Sequence, residues 1–343
     1  MSGRPKLGSL FSGYGGLEMG VAAVLDTETA WVSDVDPGAC KILAHRYPDA
    51  PNLGDITAVD WSAVEPIDVL TGGFPCQDVS PAGKLAGLRP GTRSGLWSYM
   101  AYAVAELRPS LVVIENVRGL LSAGAHSDVE PCPWCLGDDT GEPALRALGA
   151  VLGDLADLGY DAAWHGLRAA DIGAPHGRFR VFVVATDTQD VGHERGRGAR
   201  DRWAGPADSG IKAVAHSGSA GRSRGQERDV DPSGRQPAPL RDDLDGLAVD
   251  VDWGDYAPAI NGWATALGRP APLPWEFGRV GPRRLNPAFV EWMQGLPEGH
   301  VVDVPGATRS EQLKALGNGV VPQQAAAGVR VALRMLSSAG VAA

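Results

Sequence analysis

Lys6-Leu7-Gly8-Ser9-Leu10-Phe11, then Ser12-Gly13-Tyr14-Gly15-Gly16, then an apolar helix from Leu17 to about Leu25, is the stretch on which the fold turns. A strand, a glycine turn and a helix in that order open a doubly wound sheet, whose turns gather at the carboxyl edge where ligands bind. The spacing is GxGG, not the dinucleotide fingerprint GxGxxG, so the turn alone reads equally as a tight turn or a cofactor loop. Outward from it, Trp31-Val32-Ser33-Asp34-Val35-Asp36 is a second strand ending in acidic residues, and Pro37 opens a helix to about Arg46. Asp34 stands where such a fold holds ribose hydroxyls, and Asp36, directly before Pro37, stands where a helix is N-capped. Asn52-Leu53-Gly54-Asp55-Ile56 is a short third unit; Asp55 lies at the edge where an adenine could sit, or is a turn aspartate.

The run Val69-Leu70-Thr71-Gly72-Gly73-Phe74-Pro75-Cys76 is a buried strand broken by two glycines and a proline, which hands the Cys76 thiol to a loop. Residues 80–94 are rich in Gly, Pro, Lys and Arg: a solvated connection, or a lid over a polyanion. A helix follows over Leu96 to Leu107. Leu111-Val112-Val113-Ile114 is then a fully buried strand ending in Glu115, a carboxylate that is costly there unless it is paired or working. Cys132-Pro133-Trp134-Cys135 is half of a zinc site that would need His126 and a carboxylate to complete it, or a surface loop with two reduced thiols. Ala144 to Leu158 reads as a helix and Asp161 to Leu167 as a strand. Arg178-Phe179-Arg180 leads into another core strand, with both arginines on one side, able to grip a pyrimidine carbonyl or phosphate or to form a salt bridge. Near the C-terminus, a helix follows Leu285-Asn286-Pro287, and a last one runs from Gln323 to about Leu336 after Gly317-Asn318-Gly319-Val320.

With 343 residues, 44% of them hydrophobic and 21% charged, the chain has material for one large core and a smaller one. No apolar run is long enough for a membrane span, and no signal peptide is evident, so a cytoplasmic location is expected. Four cysteines, too few for a disulfide scaffold, suit a reducing compartment. The net charge of −10 argues against non-specific nucleic-acid binding and requires any such surface to be a local basic patch. His193 to Arg241 holds ten basic against six acidic residues, either as a disordered linker or as a loop-built surface for a polyanion.

Together these segments resemble the C5-cytosine DNA methyltransferase family, in the family's order and over nearly the whole chain except about Asp187 to Arg283. Phe11-Ser12-Gly13-Tyr14-Gly15-Gly16 resembles its S-adenosylmethionine loop, Gly73-Phe74-Pro75-Cys76-Gln77 its catalytic loop and Glu115-Asn116-Val117 its carboxylate motif. Arg178-Phe179-Arg180 resembles its paired arginines. Arg284-Leu285-Asn286-Pro287, Gln294-Gly295-Leu296-Pro297 and Gly317-Asn318-Gly319-Val320 resemble its closing motifs. The resemblance implies an α/β, doubly wound, mostly parallel sheet of the Rossmann-like methyltransferase class, with a smaller, irregular target-recognition domain. Residues 1–186 and 317–343 would bind the cofactor and 187–316 the DNA. It assigns Cys76 as nucleophile, Glu115, Arg178 and Arg180 as its catalytic companions, and Arg178 specifically to the base's O2. Phe11, Gly13, Gly15, Gly16, Asp34, Val35, Asp55, Ile56, Pro75, Leu96 and Asn318 would form the S-adenosylmethionine site. No metal is implied, zinc at Cys132 and Cys135 being the alternative. The expected partner is double-stranded DNA, with the protein a monomer in a bacterial or phage-infected cell beside a cognate restriction endonuclease. A tRNA cytosine methyltransferase and a catalytically silent DNA-binding protein are the competing readings. Val35 and His176-Gly177 depart from the family's usual residues.

Overall fold

The computed structural model describes residues 3–74, 96–121, 124–126, 144–188, 251–277 and 282–339. Pro75, Cys76, the proposed lid, Cys132, Cys135 and the basic segment from His193 to Arg241 lie outside the described residues. The chain opens with β1 (Lys6–Leu10), α1 (Gly16–Leu25), β2 (Glu28–Ser33) and α2 (Pro37–Arg46), followed by β3 (Val69–Gly72), α3 (Leu96–Leu107) and β4 (Leu111–Val117). A small hairpin, β5 (Gly124–His126) with β6 (Ala144–Arg146), precedes α4 (Ala147–Asp157), β7 (Tyr160–Arg168) and β8 (Phe179–Asp187). Then come α5 (Ala257–Leu267), the hairpin of β9 (Trp275–Phe277) and β10 (Arg283–Leu285), α6 (Pro287–Met293), α7 (Arg309–Asn318) and α8 (Pro322–Ala339).

Six strands form one sheet in the order β2-β1-β3-β4-β8-β7. β2, β1, β3 and β4 pair in parallel, whereas β8 runs antiparallel to both β4 and β7. The mostly parallel, doubly wound reading therefore holds, with one antiparallel strand, β8, between β4 and the edge strand β7. β4 shows why its sequence has no polar alternation: Val112 and Ile114 face a core with Trp97, Met100 and Val151, while Leu111 and Val113 face another with Val21, Phe182 and Val329. Helices α3 and α4 close the first face, and α1 with α8 the second.

The third unit departs from expectation. Asn52 makes only an isolated bridge with Val32, and its side chain accepts from the N–H groups of Asp34 and Gly54, which favours a turn over a strand. Asp55 caps a short 3₁₀ turn, accepting from the backbone N–H and hydroxyl of Thr57. The expected helix from Ala144 begins three residues later, because 144–146 pair with 124–126.

The described part of the expected recognition domain does not stand apart. Leu296, Val301, Val304, Ala315 and Leu316 share a core with Tyr14 and Ile42, and Trp263, Phe289 and Trp292 pack with Ala169, Ala174 and Val321. Residues on both sides of position 316 thus share apolar clusters, α7 burying against the glycine turn and α2, and Phe289 and Trp292 of α6 against Ala169, Ala174 and Val321.

Candidate active site

A cleft of about 470 Å³ opens at the carboxyl ends of β1, β2, β3 and β4. Phe11, Gly13, Gly16, Asp34, Glu115, Arg180 and Asn318, all expected site residues, line it. So do three residues the sequence analysis passed over for a site role, Glu18, Asn116 and Lys314.

The cofactor side is built by the turn after β1. Phe11 leaves the strand with φ 54°, and Gly13 and Gly15 follow at 58° and 85°. Such a run of left-handed backbone is cheap for glycine and costs a side-chain-bearing residue of order 1–3 kcal/mol, so Phe11 is held there by its surroundings. Asp34 locks the turn to the end of β2. Its Oδ2 accepts from Gly13 N–H at 2.8 Å and its Oδ1 from Asp36 N–H at 2.8 Å. Each oxygen retains a further lone pair for a ligand hydroxyl. Asp36 caps α2, as its position before Pro37 implies, and also pairs with Lys314. Tyr14 points away from the cleft and donates to Val320 O at 2.7 Å, and burial pushes its hydroxyl pKa up.

The chemistry side is built by β3, β4 and β8. Glu115 lies near the carboxyl end of β4, before the buried Asn116, and is 8% exposed. In the antiparallel register Arg180 lies opposite Val117, on the same face as Glu115, and its Nε is 2.5 Å from Glu115 Oε1. Burial raises the Glu115 pKa; Arg180 and Arg178 pull it back down, but burial prevails. Asn116 donates to Phe74 O at 3.0 Å, pinning the chain two residues before Cys76 to the tip of β4. Gly73 passes so near that a Cβ there would sit 2.9 Å from Glu115 Oε2. A side chain at 73 would require the Glu115 carboxylate or the end of β3 to shift.

Other expected residues have different places. Arg178 is not part of the cleft lining: its guanidinium donates to Gly317 O and Gly319 O at 2.7 Å each. It straps the loop before α8 to the start of β8 with two of its five N–H groups, and its Nε has no hydrogen-bond partner among the described residues. His176 contacts Met293 O at 3.2 Å, which ties that departure from the family pattern to α6. Val35 is 67% exposed, Ile56 and Leu96 pack into or against the core beside β3, and Asp55 accepts from Thr57; none of the four is among the residues lining the cleft. Gly15 forms the base of the turn as the N-cap position of α1. No cluster of three or more metal-ligating side chains occurs among the described residues.

Glu18 escapes a sequence reading because a lone acid in Gly16–Leu25 looks like a solvated position; the signal is that it shares the buried side with Leu17, Val21 and Leu25. Asn116 follows Glu115 directly and could have been read as a brace for the neighbouring loop. For Lys314 the sequence holds no signal, since its partner is far away in the chain.

Comparison with known proteins agrees with this geometry. The family model for C-5 cytosine-specific DNA methylases matches residues 6–195, more than half of the chain. The chain is 31% identical over 182 residues to the Type II methyltransferase M.NlaIV of Neisseria lactamica, a match covering 52% of this chain and 40% of that protein. It is 34% identical over 196 residues to the Type II methyltransferase M.AquIA of a Picosynechococcus strain, covering 52% of this chain and 71% of the relative. The match thus spans less than half the length of M.NlaIV. Among solved structures, the S. pombe Dnmt2 methyltransferase superposes with a TM-score of 0.53 at 13% identity, over 97% of this chain and 99% of that one, a likeness of fold. With the ordered motifs, the Glu115–Arg180 pair beside Gly73 and Phe74 at the end of β3 and the matching family model, the chain belongs to the C-5 cytosine-specific DNA methylase family.

Proposed function

We propose that the chain is a DNA (cytosine-5)-methyltransferase. It would move a methyl group from S-adenosylmethionine to C5 of a cytosine flipped out of a short duplex site, through a transient bond between Cys76 and C6. One observation carries this reading: a buried carboxylate, its arginine partner and the strand end that delivers Cys76 meet in one cleft with Phe11 and Asp34. The cleft also suits a cationic sulfonium cofactor, with Glu18, Asp34, Asp36 and Glu115 against Arg180 and Lys314, and with a buried Glu18 oxygen that has no partner among the described residues.

When bound, S-adenosylmethionine supplies an electrophilic methyl group. Cytosine C5 is too poor a nucleophile to take it unaided, so the Cys76 thiolate first adds to C6 and makes the ring electron-rich. Glu115 shares a proton with the base at N3 and accepts from the exocyclic amine, offsetting the charge that builds up on the ring; its raised pKa suits that task. Arg180 orients Glu115. Asn116 and Gly73 set the distance between the Cys76 segment and that carboxylate. After C5 takes the methyl group from the sulfonium, a base such as water would accept the C5 proton, the C5–H pair would restore the C5–C6 double bond, and the Cys76 sulfur would leave C6 with its electron pair. Flipping the target out costs roughly a few kcal/mol, offset by contacts to the 80–94 loop and the basic segment from His193 to Arg241.

The Type II methyltransferase names of the relatives support the further reading of an enzyme acting beside a cognate restriction endonuclease; a cytoplasmic location and a monomeric state belong to the same proposal. Among the described residues no helix is long and apolar enough to cross a membrane. The test is incorporation of tritiated methyl groups into duplex DNA and into total tRNA. Label in DNA is expected, and label in tRNA alone would refute the proposal. Cys76→Ala should abolish transfer while DNA still binds; turnover near the native rate would remove Cys76 as nucleophile.

A further inference from the structure

Glu18 is a carboxylate for which the reaction above has no task. It lies in the first turn of α1, is 2% exposed and lines the cleft. Its Oε1 accepts from the hydroxyls of Ser9 on β1 and Thr71 on β3. Its Oε2 is buried and has no hydrogen-bond partner among the described residues. Burial raises the pKa of the group, with the hydroxyls of Ser9 and Thr71 pulling it back. A buried oxygen left without a partner is unfavourable unless a ligand completes it.

The sheet order says what can reach it. Asp34 closes one side of the cleft at the end of β2 and Glu115 the other at the tip of β4, with β1 and β3 between them. Glu18 is anchored to those two middle strands. A sulfonium has three arms, and with the adenosyl arm toward Asp34 and the methyl group toward Glu115, the amino-acid arm is left facing the start of α1. That arm ends in an ammonium and a carboxylate. Gly15 gives α1 no side-chain cap, so the helix start suits the carboxylate, and the free Glu18 oxygen suits the ammonium.

Resting on the S-adenosylmethionine reading above, we propose that Glu18 Oε2 receives the α-ammonium of the cofactor's amino-acid arm and so fixes the direction in which the methyl group is presented. The test is calorimetric binding, without DNA, of S-adenosylhomocysteine and of its analogue lacking the α-amino group. Glu18→Gln should weaken S-adenosylhomocysteine by about 10- to 100-fold, the range for a lost charge-assisted hydrogen bond, and leave the desamino analogue within about twofold. Equal weakening of both ligands, or of neither, would overturn the proposal. Should E18Q fail to fold, the wild-type chain decides: it must bind S-adenosylhomocysteine about tenfold or more tighter than the desamino analogue, and equal affinities overturn the assignment. If the wild-type chain binds neither ligand, the cofactor reading falls and this inference with it. Tight binding without discrimination removes the inference alone.

Discussion

Glu115 and Gly73 approach closely on the chemistry side of the cleft, where a Cβ at 73 would lie 2.9 Å from a carboxylate oxygen. Gly73→Ala should therefore shift the Glu115 carboxylate or the end of β3. We expect single-turnover methylation to fall roughly 10- to 100-fold, as for other displacements of about an ångström, with S-adenosylhomocysteine affinity unchanged by calorimetry. An unchanged rate would show that the approach of the two segments is not used. Glu115 was legible in the sequence because a charge ending a buried run is conspicuous. Arg178 was legible as a functional position but not as a strap, since its partners Gly317 and Gly319 lie 139 and 141 residues along the chain.

At the level of elements, α7 is built by local rules. Thr308 Oγ1 accepts from Glu311 N–H and the Glu311 carboxylate accepts from Thr308 N–H, a reciprocal cap whose T-x-x-E signature is in the sequence. Thr308→Ala should lower the free energy of urea unfolding by about 0.5–2 kcal/mol. Lys41 and the cap hold the Glu311 carboxyl down at about 2. A lowered carboxylate pKa stabilises the fold above the unfolded value of about 4.3, and that stability is lost as pH falls toward the folded value. The gap in unfolding free energy between the wild-type chain and Glu311→Gln should accordingly hold steady from about pH 7 to 5 and close toward pH 2. A gap independent of pH would assign the effect to the cap alone. Ala144–Arg146 shows the limit of local rules: its composition suits a helix start, and pairing with 124–126 overrides it.

For the whole molecule, α8 is the element that joins the parts. Ala325, Val329, Ala332 and Leu333 complete the core on the α1 side of the sheet, and the preceding loop is held by Arg178 and by Tyr14. Deleting residues 322–343 should leave that face of β1, β3, β4 and β8 open to water. The expected result is loss of near-ultraviolet circular dichroism and of a single cooperative thermal transition, beyond mere loss of activity. A truncated chain that unfolds like the full one would show that the last helix is an accessory.

Periodicity, the glycine turn, the broken run before Cys76 and the charge near the end of β4 are local features, and they were enough to indicate a doubly wound sheet and to put Asp34 and Glu115 at its ligand edge. The departures all depend on contacts between distant segments. Leu296, Val301, Val304, Ala315 and Leu316 share a core with Tyr14 and Ile42; Arg178 is tied to Gly317 and Gly319; Glu18 becomes a cleft residue only when β1 and β3 flank α1. A chain displays its spacings directly, but which buried charge lacks a partner is settled only when far-apart strands are brought together and water is excluded between them.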